Sequence, residues 1–214
     1  MWSASFIELG FTVISLVMLL AYHGYLVVKV RTDPLKTSVG QANRLRGAWV
    51  KSVMEEKRDI LAVQTLRNWV MAASFLASTA ILLAVGILNV AFKSERLSAL
   101  TQAVNLVGSQ NETLWFVKLL LLTADFFFAF FNFSLAIRHY NHVSYMINIP
   151  SERDTLATPD YITQVLHHGT VHYTIGMRGY YLAIPLALWL FGPTWFLMGT
   201  LILVTALFKL DGTP

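Results

Sequence analysis

The stretch VKLLLLTADFFFAFFNFSLAIRHYNH, residues 117–142, decides the fold class. It holds an apolar run of the roughly 20 residues needed to cross about 30 Å of hydrocarbon, yet it carries Lys118, Asp125, Asn132 and His139. A carboxylate near the middle of a bilayer costs at least about 2.5–3.5 kcal/mol on insertion scales, so Asp125 has to be paired, protonated or wetted. The four polar residues fall seven apart, with Leu122, Ala129 and Ala136 between them on the same stripe. Seven-residue spacing drifts only about 20° per heptad on a straight helix, and the left-handed crossing common in membrane bundles removes that drift. One polar, small-residue seam is therefore expected to face protein. The aromatic residues Phe126, Phe127, Phe128, Phe130, Phe131 and Phe133 are expected to face lipid.

The rest of the chain agrees with a membrane setting. Of its 214 residues 56% are apolar and 13% charged, a balance unlike that of soluble domains. Four runs reach spanning length, at about 6–30, 69–92, 114–137 and 181–208, leaving segments 31–68 and 138–180 between them. The fold class expected is all-α, a single polytopic domain of four transmembrane helices with amphipathic helices at its surface. The first run is expected to be retained and not cleaved as a secretory signal: no basic residue precedes it, Glu8 lies inside it, and no A-x-A-like site follows.

Lysine and arginine are unevenly distributed. Nine lie in or beside segment 31–68, three are Arg138, Arg153 and Arg178, and only Lys93, Arg96, Lys118 and Lys209 fall on the other side. Twelve against four places both basic segments in the cytoplasm and both termini outside it. The net charge of +4 is accounted for by this flanking pattern, and no nucleic-acid partner is called for. With no cysteine, disulfides, Cys-ligated zinc, iron–sulfur clusters and thioether-linked haem are excluded.

Segment 31–68 reads as helical, with Asp33 before Pro34 as a start and Leu45, Trp49 and Val53 on one face. It either packs under the bundle or, with Arg44, Arg46, Lys51, Lys57 and Arg58 beside a tryptophan, lies on anionic lipid. A second such helix is expected to begin at Thr158 as N-cap, with Pro159 in its first position and Asp160 in its first turn.

Other runs offer matching seams. Glu8, Thr12, Ser15 and Tyr22 share a side of the first, with His23 at its margin; Ala73, Ala77, Ala80 and Ala84 make a close-approach seam on the second. The first and third runs point the same way and both begin at the outer boundary, which predicts a Glu8–Lys118 contact. Pro185 and the FGP at 191–193 predict a kink in the fourth run whose freed carbonyls need partners.

Three readings of the polar residues compete. They are hydrogen-bonding glue between helices; or Glu8, Lys118, Asp125, Asn132 and His139 form a wet path for protons or small ions; or His23, His139, His142, His168 and His172 hold a metal or haem. No motif calls for a cofactor, and the histidine signal lacks HExxH, while Gly169 is a candidate break between His168 and His172. No phosphate-binding glycine loop, G-x-S-x-G or Walker pattern points to an enzyme.

Three stretches, LAVQTLRNWVMAASFLASTAILL (61–83), AFFNFSLAIRHYNH (129–142) and YTIGMRGYYLAIPLALWLFGP (173–193), together resemble the domain-of-unknown-function 599 family of multi-pass membrane proteins. The L-R-N, R-x-Y-N-H and G-M-R-G-Y-Y pieces occur in the expected order. The resemblance implies a bacterial inner-membrane type of protein and supplies no catalytic residues. It draws attention to Arg67, Arg138 and Arg178, which at the cytoplasmic ends of their helices would suit an anion or lipid phosphate. The functional expectation is a homo-oligomeric channel- or transporter-like protein in the lipid bilayer. The rival is a non-catalytic accessory or assembly subunit of a larger membrane complex.

Overall fold

A computed structural model describes residues 2–93, 112–150, 153, 154 and 156–212. It is all-α among these residues, with six helices: α1 (Trp2–Thr32), α2 (Ser38–Glu55), α3 (Asp59–Ala91), α4 (Glu112–Met146), α5 (Pro159–Leu188) and α6 (Pro193–Asp211). Four of them, α1, α3, α4 and α6, are long and apolar enough to cross a membrane.

α4 is the central helix, and its sequence explains why. Three adjacent heptad lines are covered: Trp115, Leu122, Ala129, Ala136 and Val143; Leu119, Phe126, Phe133 and Tyr140; and, in the polar line, Lys118 and Asn132. α3 lies against one side through Ala73, Ala77, Ala80 and Ala84, all buried as expected, because a methyl group is the largest side chain that still admits close helix approach. α5 runs antiparallel along the other side. The pairings Gly169 with Tyr140, Gly176 with Phe133 and Gly179 with Ala129 follow its whole length. The expected all-lipid aromatic face is corrected by this arrangement. Phe128 and Phe131 point outward, but Phe126 and Phe133 are buried in edge-on contacts with Tyr180, since a helix flanked on two sides has room for only a narrow outer stripe.

The helices overrun the hydrocarbon length and build a second core at one end. Val50 and Val53 of α2 pack there with Leu66 of α3, Tyr140 and Val143 of α4, and Ile162 and Leu166 of α5. α2 therefore packs under the bundle. Of the expected face, Val53 is buried and Trp49 packs on the same core, but Val50 takes the place of Leu45, which is 69% exposed. Its start also moves, because Pro34–Lys36 forms a separate 3₁₀ turn and Thr37 caps α2, accepting from the Gly40 amide at 3.1 Å. The predicted cap at Thr158 is present, accepting from the Tyr161 amide at 3.3 Å.

The fourth span is the main correction. Residues 181–208 do not form one kinked rod; after the 3₁₀ turn Trp189–Phe191 the chain reverses at Gly192 and returns as α6. Gly192 has φ 139° and ψ 167°, a region open in practice only to glycine, and Pro193 starts the next helix with an amide that needs no partner. α6 folds back on α5, bringing Gly199 against Pro185 and Leu188. Gly169 does not break α5, which is helical throughout Pro159–Leu188.

The reversal separates the chain's two ends. Glu8 lies beside Lys118, which reaches Trp189; Gly212 forms a bridge with Thr37 at the opposite end. Glu8 and Gly212 thus stand at opposite ends of the helices, and labelling decides which membrane side each one meets. Because the native chain has no cysteine, single cysteines test this directly. Lys93→Cys and Leu210→Cys, both at exposed positions, should label from opposite sides of sealed vesicles with a membrane-impermeant maleimide. Labelling from the same side would restore the unbroken fourth span.

Candidate functional site

The polar seam of α4 runs along its contact with α5. Its outermost member, Lys118, is only 2% exposed, an environment that a cation tolerates only with partners. It has three: Glu8 Oε1 at 3.6 Å, the Trp189 carbonyl, to which it donates at 3.3 Å, and the Trp189 ring, whose centroid is 5.2 Å away. The predicted Glu8–Lys118 contact is present. The same ammonium caps a carbonyl freed where α5 ends, so the requirement that the helix break find partners is met by the seam itself.

One heptad further, Asp125 points toward α5. Its Oδ1 lies 3.5 Å from where a Cβ on Gly179 would stand, and its Oδ2 is buried with no hydrogen-bond partner among the described residues. Asn132 follows. Its Nδ2 donates to the Phe128 carbonyl at 2.9 Å, which leaves Oδ1 as the acceptor for His172 Nδ1 at 3.0 Å. His172 thus donates from Nδ1 to that oxygen. At the far end, His139 stacks on His172 with 5.8 Å between centroids and meets His168 edge-on at 5.7 Å.

Asp125, Asn132 and His139 thus face α5, while Glu8 joins the line from α1 through Lys118. The candidate metal set is only partly brought together. His139, His168 and His172 cluster, whereas His23 is held by its own helix at the Leu19 carbonyl and His142 packs on Tyr145. Among the described residues no three His, Asp or Glu side chains are placed to hold a metal ion.

Arg67 and Arg138 are exposed, while Arg178 is half-buried and donates through Nη2 to both oxygens of Asp211, at 2.8 and 2.7 Å. Tyr22 donates to the same carboxylate. A basic residue that the sequence grouped with Arg44, Lys51, Lys57 and Arg58 is half-buried: Arg46 on α2 donates to Asn43 Oδ1 at 2.6 Å and to Thr170 Oγ1 at 3.4 Å. Burial lowers its pKa from the ordinary guanidinium value, although a guanidinium stays charged. Burial likewise pushes the neighbouring His167 below the usual imidazole range, with His168 and Arg46 adding in the same direction. The signal for Arg46 was its place one residue after Leu45 and three after Asn43, which turns it inward with Val50 and Val53 once the true buried face is known.

A family model described as a protein of unknown function, DUF599, matches residues 11–214. The chain belongs to the DUF599 family. No curated protein and no solved structure matches it. The family carries no assigned activity, so the seam has to be interpreted from its own chemistry.

The outer pair generates a stability prediction. Removing one partner of a buried ion pair leaves an uncompensated charge and typically costs about 3–5 kcal/mol. Lys118→Met should therefore destabilise the protein by about that amount in detergent, and Glu8→Gln placed on top of it should recover part of the loss. A Lys118→Met melting curve that overlays the parent's would contradict the assigned role of Lys118 at the helix break.

Proposed function

We propose that this DUF599 protein moves protons along the α4–α5 seam, with Asp125 as the acceptor at mid-bundle. The observation that carries the reading is the buried Asp125 Oδ2 without a hydrogen-bond partner among the described residues, in line with an Asn132–His172 pair and a stacked His139. Helix glue would use that oxygen; a proton carrier keeps it open. Carboxylates and histidines chained through a membrane bundle are what a proton relay requires, because each can hold or release a proton at modest cost. The stations lie about 10.5 Å apart by helical rise, so transfer between them passes through water admitted to the seam.

The path in this proposal lies inside one chain, which replaces the pore between identical copies anticipated from the sequence. The membrane is the cell membrane, and the end carrying α2, with Arg44, Arg46, Lys51, Lys57 and Arg58, faces the cytoplasm by the excess of basic residues there. The histidines then form the cytoplasmic mouth and the Glu8–Lys118 pair closes the outer end.

Asp125→Asn keeps the volume and removes the titratable oxygen. In liposomes with an imposed pH difference and a trapped pH dye, the parent should dissipate the gradient and Asp125→Asn should slow this by about tenfold or more, the usual size of a general acid–base contribution being about 10²–10⁴. Equal rates for the two proteins, with equal melting temperatures, would remove the relay and favour an accessory subunit in which the seam only joins helices.

A further inference from the structure

The second cluster of buried charge has a different character from the seam. Three hollows converge on Arg46: one toward Trp69 and Tyr140, one toward Asp160 and Gln164, and a groove of about 450 Å³ between α1, α2 and α5. The groove carries positive charge at its head, from Arg31, Arg46 and Arg178. Only part of that charge is matched. Arg178 is paired with Asp211 through Nη2, but its Nη1 is buried with no hydrogen-bond partner among the described residues. Arg46 donates to the neutral oxygens of Asn43 and Thr170 and makes no ion pair among the described residues, Asp160 of the neighbouring hollow included. Thr170 and His167 line the same head, the Thr170 hydroxyl donating to the His167 carbonyl at 2.9 Å.

The flanks are apolar. Leu26, Val27 and Val30 come from α1, Val171 and Ile175 from α5; Val27 is half exposed, so this wall continues onto the outer surface of the bundle. The combination is a compact anion-binding head opening onto an oily slot at the level where α1 leaves its apolar run. A water-soluble phosphate would use the head and leave the slot wet. A molecule with both a phosphate and acyl chains uses both.

We propose that this groove binds an anionic phospholipid, with the phosphate on Arg46 and the free Nη1 of Arg178 and the acyl chains along α1. Arginine is suited to the task because its fork of donors matches phosphate oxygens and its charge persists when buried. Bound there, the lipid touches α1, α2 and α5 at once. This site is independent of the proton reading, since none of its residues belongs to the α4 seam.

Native mass spectrometry from micelles containing equal amounts of phosphatidylglycerol and phosphatidylcholine tests the assignment. The parent should retain phosphatidylglycerol in preference. Arg46→Gln should cut that preference by about tenfold or more, the scale of one charge-assisted hydrogen bond. Arg46→Lys, which keeps the charge and so guards against misfolding as the explanation, should lose an intermediate amount, and Arg44→Gln, exposed on the same helix, should lose none. Equal loss in Arg44→Gln and Arg46→Gln would overturn the proposal in favour of diffuse attraction between the basic surface and lipid. Displacement of phosphatidylglycerol by millimolar inorganic phosphate would overturn the lipid assignment and leave a soluble phosphate site. An unchanged preference in Arg46→Gln would overturn it outright.

Discussion

The close approach of α5 to α4 is the constraint on which the other features depend. A Cβ at Gly176 would stand 2.9 Å from the Phe133 ring, and one at Gly169 would stand 2.9 Å from the Tyr140 ring, so any larger residue at either position would force the helices apart. Hydrophobic burial does little to hold helices together where the surroundings are as apolar as leucine; packing and interhelical hydrogen bonds do. Glycine on α5 therefore does two things at once. It lets large aromatic rings of α4 seat against bare backbone, and it brings the polar line of α4 under cover, where Asp125 faces Gly179 and Asn132 meets His172.

Two buried cations then fix the ends of the hairpin formed by α5 and α6. At one end Lys118 holds the Trp189 carbonyl where the chain turns. At the other Arg178 holds Asp211, the last residue of α6, and Tyr22 of α1 joins the same carboxylate. Each cation ties together segments far apart in sequence, and each would be costly if left alone in a low dielectric. Their requirement for partners selects this arrangement over a straight fourth span, in which Asp211 would lie far beyond Arg178.

Much of this was legible in the residues. Four apolar runs stand out because each exceeds the bilayer length, and the Glu8–Lys118 pair follows from direction and depth alone. The heptad of Lys118, Asp125, Asn132 and His139 already implied a covered seam. What escaped was α5. Its first half, PDYITQVLHHGTVHYT, is too polar to announce a helix lying along α4, and its apolar second half runs straight into the apolar α6, so a reversal at Gly192 reads as a kink. From that one ambiguity comes the missed Arg178–Asp211 pair. Phe126 and Phe133 were misassigned for a related reason: periodicity tells which residues share a face, but the number of faces covered depends on how many neighbours arrive. Arg46 was hidden among three basic residues of one amphipathic helix, Arg44, Arg46 and Lys51, where charge alone does not separate the inward member from the rest.

The central claim is that the face of α4 bearing Asp125 is turned to α5. A Cβ on Gly179 would lie 3.2 Å from that of Ala129, close to the separation of about 3.5–4.5 Å found in disulfides, and no native cysteine competes. Copper-catalysed oxidation of Ala129→Cys/Gly179→Cys in native membranes should cross-link the two helices within one chain, while Phe128→Cys/Gly179→Cys, with residue 128 on the outer stripe, should not. Cross-linking of the second pair and not the first would turn Asp125 away from α5 and contradict the account at its base.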